Sequence, residues 1–267
     1  MHPILFSIGP LTLRTYGALI ALAFLAALRM AKWAGKDKGI PEKFLMDLSI
    51  LLVFAGLLGA RVFYVALNAP YYMTHPLDSL KVWEGGLVFY GGFITAAAAG
   101  AWFARRHKVS VAVLADCLAP ALAMGQAIGR WGCFFAGCCY GKPTTLPWAV
   151  RFKDPASLAP LDIDLHPVQI YEALGNLAIA FFLWWRLRKN PDAPRGQVFW
   201  LYVLLYGILR FGMELLRGDD RGPLWADLFP SQLIALGAIL VSASILITQI
   251  ASTEDLHGSS IENRKSR

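Results

Sequence analysis

The chain has 267 residues, 57% of them apolar and 16% charged, with 25 Lys and Arg against 18 Asp and Glu for a net charge of +7. Soluble domains average about 45–50% apolar and about 25% charged residues, so this composition excludes a disordered chain and a coiled coil and makes a bilayer the expected solvent. The basic excess matches loops lying against anionic lipid; with no soluble basic domain to hold a duplex, no nucleic-acid partner is expected.

In chain order, Ile4, Phe6 and Ile8 and then Leu11 and Leu13 alternate around Gly9-Pro10, which predicts an extended hairpin-like arm over residues 1–14. Seven apolar stretches of near-spanning length follow: Thr15–Met30, Phe44–Leu67, Leu87–Phe103, Val111–Gly129, Val168–Trp185, Val198–Leu216 and Ser231–Ile250. Each approaches the roughly 20 residues needed to cross a hydrocarbon core of about 30 Å. The first lacks a basic leader and a small-residue cleavage site, so it is expected to stay as a span rather than be removed. A polar tail covers 251–267. The expected fold is therefore an all-α integral membrane protein with seven transmembrane helices, organised as one polytopic domain over residues 1–267.

Orientation follows from the loops. One set of connections holds Lys32, Lys36, Lys38, Lys43, Arg105, Arg106, Lys108, Arg186, Arg188, Lys189, Arg195, Arg264, Lys265 and Arg267. The other holds Arg14, Lys81, Arg130, Lys142, Arg151, Lys153, Arg217 and Arg221 over longer connections. The positive-inside rule then places the N-terminus and its arm outside and the C-terminal tail in the cytoplasm. The two long outer connections, Asn68–Gly86 and Arg130–Pro167, contain Pro, Trp and Tyr rather than a disorder-type composition. Long ordered loops carry function, so the chemistry is expected on that side.

Charges inside apolar stretches cost about 2.5–3.5 kcal/mol each on insertion scales and mark function or interhelical pairing. Asp47, Arg61, Asp116, Arg210 and Glu214 qualify. Tyr206, Arg210, Glu214 and Arg217 recur at helical spacing and form one polar stripe. With Arg217 at the outer interface, Arg210 lies about 10 Å deeper, near the phosphate of an outer-leaflet lipid, and its planar fork suits that phosphate.

Two glycine-rich runs stand out. Gly125 and Gly129 form a small-residue face for a neighbouring helix, and with Gly132, Gly137 and Gly141 they predict irregular backbone lining a cavity, with Arg130 at its mouth. The run Gly85–Gly92 places Tyr90 between two glycine pairs, which suits either a site or a tight turn with close packing. Cys117, Cys133, Cys138 and Cys139 are too few and too clustered for a disulfide framework. No His/Cys cluster at ligand spacing argues for a metal.

Taken together, these residues resemble the prolipoprotein diacylglyceryl transferases of bacterial inner membranes over nearly the whole chain. The matching pieces are Ile8-Gly9-Pro10 with Tyr16-Gly17, Gly59-Ala60-Arg61-Val62-Phe63-Tyr64, the Gly85–Gly92 run, Gly129-Arg130 with Gly132 and Gly137, His166-Pro167-Val168-Gln169-Ile170-Tyr171-Glu172, and Tyr206-Gly207 through Arg210 and Glu214 to Arg217. The resemblance implies transfer of the sn-1,2-diacylglyceryl group of phosphatidylglycerol to the lipobox cysteine of a prolipoprotein signal peptide. Glycerol 1-phosphate leaves, and neither metal nor organic cofactor is needed. It implies catalytic roles for Arg130, Arg210, Glu214 and Tyr90 and substrate contacts for Arg130, Tyr16, Arg61, Tyr206, Gly137, Gly141 and His166. The implied location is the inner membrane, with the active site on its periplasmic side.

The chain departs from the common family pattern at Tyr90, where many members carry histidine, and at Cys133 and Cys138, where they carry asparagine and an acidic residue. A phenol of pKa about 10 is a poor base at neutral pH, so the base is open, and His166 suits either the chemistry or a structural role, as a cap on the fifth span or a hydrogen bond to the loop. Three rivals stand beside this reading: a diverged phosphatidylglycerol-binding relative without transferase activity, a thiol-redox membrane protein using the cysteines, and a transporter, against which the lack of a repeat between halves argues.

Overall fold

The computed structural model describes residues 2–8, 11–220 and 228–265; the expected Gly9-Pro10 turn, Arg221 and Arg267 lie outside them. Among the described residues there are seven helices of 18 residues or more: α1 (Thr15–Lys36), α2 (Glu42–Leu67), α4 (Phe89–Arg106), α5 (Val111–Ala136), α6 (Val168–Lys189), α7 (Gln197–Glu214) and α8 (Pro230–Lys265). A short helix, α3 (Ala69–Thr74), lies between α2 and α4. Among the described residues, five helices are long and apolar enough to cross a membrane: α1, α2, α5, α6 and the Pro230–Ser252 part of α8. α4 and α7, at 18 residues each, rise about 27 Å, and their Arg105–Arg106 pair and Arg210–Glu214 pair dilute them. A bilayer accounts for what covers the helices: Phe54, Leu58 and Val62, one turn apart on α2, are each more than 60% exposed, a surface that water would penalise.

The arm is a two-stranded antiparallel ribbon, β1 (Ile4–Ile8) with β2 (Leu11–Arg14), in which Ile8 faces Leu11 and Ile4 faces Arg14. The Thr15 amide donates to the Pro3 carbonyl at 3.0 Å and joins the ribbon to α1.

The chain divides into two compact units, Met1–Ala34 with Ala115–Arg267, and Gly35–Leu114. In the second unit α2 packs along α4 because glycine removes the side chains between them. A Cβ on Gly92 would lie 2.7 Å from the Gly56 carbonyl oxygen, and one on Gly91 would lie 2.7 Å from that of Gly59. Thr95 Oγ1 donates across the gap to the Ala55 carbonyl at 2.9 Å. Of the two readings of the Gly85–Gly92 run, this is the close packing, with Gly85 and Gly86 at positive φ forming the turn before α4.

In the larger unit α1 lies on α5. The Gly125, Gly129 and Gly132 positions face Ala23 and Ala27, Ile20, and Tyr16 with Leu19, and Met30, Ala31 and Ala121 close a small core with Trp184 beside it. These three glycines are helical, so the expected irregular backbone is corrected. α5 runs unbroken to Ala136, and the chain leaves the helix only at Gly137, with φ of 77°. The reason is that each glycine meets α1 rather than a cavity. α7 packs between α6 and α8, with Gly175 against Leu209 and Gly207 against Ile239.

The connection from Gly137 to Pro167 folds on itself. Phe152, Ala159 and Leu165 are buried together, with Phe134, Tyr140 and Val150 around them. A second ribbon, β3 (Val150–Arg151) with β4 (Asp164–Leu165), crosses it, and Arg151 and Asp164 pair at 2.6 Å.

Candidate functional site

The centre of the larger unit is a single carboxylate. Glu172, in the second turn of α6, is 3% exposed, and three arginines from three elements reach it. Arg130, one and a half turns from the end of α5, meets Oε2 through Nε. Arg210, on α7, meets Oε1 through Nη1 at 2.8 Å. Arg217, just past α7, stands 4.0 Å from the same oxygen. Arg210 also pairs through Nη2 with Glu214, one turn on, at 2.8 Å. Arg217 donates from Nε and Nη2 to the two oxygens of Asp219, at 2.9 and 2.8 Å.

Exposure separates their roles. The Arg130 and Arg210 side chains retain 19% and 14% exposure, while that of Arg217 retains 2%. The first two can still meet a ligand, whereas Arg217 is enclosed and holds position. Burial pulls the Arg217 guanidinium toward neutrality, but the Asp219 carboxylate opposes it, and the pKa stands above the ordinary value.

The chain around the cluster is shaped to bring Arg217 there. Gly141 pairs with Arg217 as an isolated bridge; the Lys142 amide donates to the Leu216 carbonyl at 2.8 Å, and the Gly218 amide to the Tyr140 carbonyl at 3.0 Å. On the other side the His166 amide donates to the Lys142 carbonyl at 3.0 Å. A Cβ on Gly141 would lie 2.5 Å from the His166 carbonyl oxygen, so this crossing admits only glycine. On α6, Asn176 Nδ2 donates to the Glu172 carbonyl at 2.8 Å, and Gln169 Nε2 to the Cys138 carbonyl at 2.9 Å.

Of the residues expected from sequence, the larger unit gathers Arg130, Arg210 and Glu214 into one cluster, with Gly141 and His166 in the strip that carries Arg217. Tyr206 stacks on Tyr202, rings 5.8 Å apart, and Tyr202 donates to Gln126 at 3.0 Å. Tyr16 is half-exposed and packs by its ring against Gly132. Gly137 ends α5. The His166 side chain caps nothing, since the cap position of α6 is Pro167, and its Nδ1 is buried without a partner.

Arg61 and Tyr90 belong to the smaller unit. Arg61 is 7% exposed and spends its fork on backbone: Nε donates to Ser79, Nη2 to Asp78, and Nη1 to Gly85 and Gly86, at 2.6–3.2 Å. It ties down the connection from α2 to α4. Tyr90 is exposed in the first turn of α4.

One further intramembrane charge is structural. Asp116 accepts from the amides of Gly196 and Phe199, at 2.6 and 2.9 Å, and so caps α7 from α5, as an anion at a helix N-terminus should. Asp47 is exposed near the start of α2. Sequence reasoning missed Glu172 as the hub. Its signal was present, because Gln169, Glu172 and Asn176 put three polar groups on one face of an apolar helix. Another expectation is corrected: the sulfurs of Cys133, Cys138 and Cys139 all lie within 4.8 Å of one another, a cluster at ligand spacing.

Fold and centre together define a multi-pass helical membrane protein built around a buried arginine–carboxylate cluster. Residues 3–248 match the model of the family described as prolipoprotein diacylglyceryl transferase. The chain is 38% identical over 241 residues to the phosphatidylglycerol–prolipoprotein diacylglyceryl transferase of Clostridium tetani, across 90% of this chain and 95% of the relative. It is 32% identical over 255 residues to the protein of that name from Geobacter sulfurreducens, across 92% and 95%, and 37% identical over 243 residues to a Streptomyces coelicolor protein called phosphatidylglycerol–prolipoprotein diacylglyceryl transferase 2, across 87% and 75%. This chain belongs to the prolipoprotein diacylglyceryl transferase family.

Proposed function

We propose that the chain moves the sn-1,2-diacylglyceryl group of phosphatidylglycerol onto the thiol of a lipobox cysteine in a prolipoprotein signal peptide, the first step of bacterial lipoprotein maturation. One observation carries this beyond family membership: Arg130 and Arg210, the two partly open members of the cluster, meet opposite oxygens of Glu172. Held from below by one carboxylate, the two forks stand together as a receptor for one phosphate.

In this reading the lipid phosphate binds between Arg130 and Arg210. Sulfur attacks the glyceryl carbon, the carbon–oxygen bond to phosphate breaks, and the products are a thioether and glycerol 1-phosphate. Charge grows on the departing phosphate oxygen, and preformed donors in a dry site stabilise it by about 3–4 kcal/mol for one well-placed group. The thiol proton has an acceptor in the product, because a phosphate monoester takes up a proton with a pKa of about 6. Glu172 and Glu214 hold the guanidinium planes and spare the substrate that ordering cost. Tyr16, Tyr206 and His166 offer further contacts to the lipid or peptide, as do the turns at Gly137 and Gly141.

The membrane frame is part of the proposal. The long helices lie in the inner membrane, with the β1–β2 arm and the Gly137–Pro167 connection in the periplasm and the tail in the cytoplasm; the loop charges support this sense. The reading is tested by incubating purified full-length protein with phosphatidylglycerol and a lipobox peptide and weighing the peptide. A gain of one diacylglyceryl unit is expected. An unchanged mass with bound lipid would instead support a binding protein without transfer.

A further inference from the structure

Three thiols in this chain converge where the transfer reaction asks nothing of them. Cys133 stands in the last turn of α5. Gly137, at φ of 77°, and Cys139, itself in the left-handed region at φ of 60°, turn the chain back so that Cys138 and Cys139 return to Cys133. The three sulfurs lie within 4.8 Å of one another and are half-buried. Their present contacts are weak: the Cys138 thiol reaches the Cys133 carbonyl at 3.8 Å.

We propose that Cys133, Cys138 and Cys139 form a binding site for one thiophilic cation of the zinc type. Three thiolates about an ion at roughly 2.3 Å stand about 4 Å apart, so the array needs closing by less than about 1 Å. Binding exchanges three thiol protons for one dication, which leaves one net negative charge. The enclosed Arg217, whose backbone pairs with Gly141 two residues past Cys139, and Arg130 near the same end of α5 balance that charge. A tri-sulfur set is the soft donor type that selects zinc, cadmium or cuprous ions over magnesium and calcium. The backbone around it is fixed by a neighbour, since Gln169 holds the Cys138 carbonyl at 2.9 Å. A bound cation joins the end of α5 to the strip that carries Gly141, and through it to Arg217. Ion binding does not require the transfer reaction: a chain with no transferase activity still binds the ion.

The experiment uses the purified, reduced full-length protein, stripped of metal and titrated with Cd²⁺. One equivalent is expected to bind, with an ultraviolet thiolate-to-metal absorption band and proton release. Cys133→Ser, Cys138→Ser and Cys139→Ser should each weaken binding at least about 100-fold, since loss of even an outer partner of a ligand costs about 10–100-fold. Cys117→Ser, which alters a buried thiol elsewhere on α5, should leave the band unchanged. X-ray absorption of the cadmium-loaded wild-type protein needs no variant and should count three sulfur neighbours. Fewer than three sulfurs, absence of the band at stoichiometric metal, or a disulfide among these cysteines in the protein as isolated overturns the proposal.

Discussion

Arg210 and Glu172 come from different helices and meet at 2.8 Å, and that one contact ties the polar stripe of α7 to the hub on α6. Glu172→Gln keeps the shape and removes the charge that orders three guanidinium groups. Diacylglyceryl transfer to a lipobox peptide should fall at least about 100-fold. Breaking a buried pair also costs about 3–5 kcal/mol, so the midpoint of unfolding in detergent should drop. A stable, fully active Gln variant would show that Glu172 orders nothing.

Asp116 and the start of α7 are 80 residues apart in sequence, and their contact is capping rather than chemistry. Asp116→Ala should lower stability by about 1–2 kcal/mol with turnover per folded molecule unchanged. Thermal unfolding beside a transfer assay separates the two effects.

Tyr90→Phe removes only a hydroxyl from an exposed position, so stability should hold while turnover drops at least about tenfold if the phenol serves the reaction. An active Phe variant assigns Tyr90 to packing at the start of α4.

The Arg151–Asp164 pair joins β3 to β4 and gives the protein an acid-side dependence. Arg151 holds the Asp164 carboxyl below its usual range. A depressed carboxyl contributes stability above its unfolded pKa of about 3.9, and this contribution is lost as pH falls through the lower folded value. The difference in melting temperature between the wild-type protein and Asp164→Asn should therefore be present at neutral pH and shrink below about pH 4.

The sequence was legible where one element decides the outcome. The seven apolar stretches reappear as the seven long helices, and the alternation of Ile4 to Leu13 as the β1–β2 ribbon. The stripe of Arg210 and Glu214 on α7 follows from helical spacing alone. What stayed hidden depends on elements distant in sequence. Glu172 becomes a hub only when α5, α6 and α7 converge: the polar face it shares with Gln169 and Asn176 is legible locally, but its arginine partners are not. Gly125, Gly129 and Gly132 read as a cavity because their true partner, α1, lies far earlier in the chain. The three cysteines meet only because Gly137 and Cys139 adopt left-handed backbone, which spacing cannot reveal.

The proposed chemistry rests on Arg130 and Arg210 gripping one phosphate. Its most direct test is turnover of Arg130→Ala and Arg210→Ala, each shown to be folded in detergent, with phosphatidylglycerol and a lipobox peptide. Losses of at least about 100-fold in both are predicted. Near-normal turnover in both would show that these arginines do not hold the phosphate.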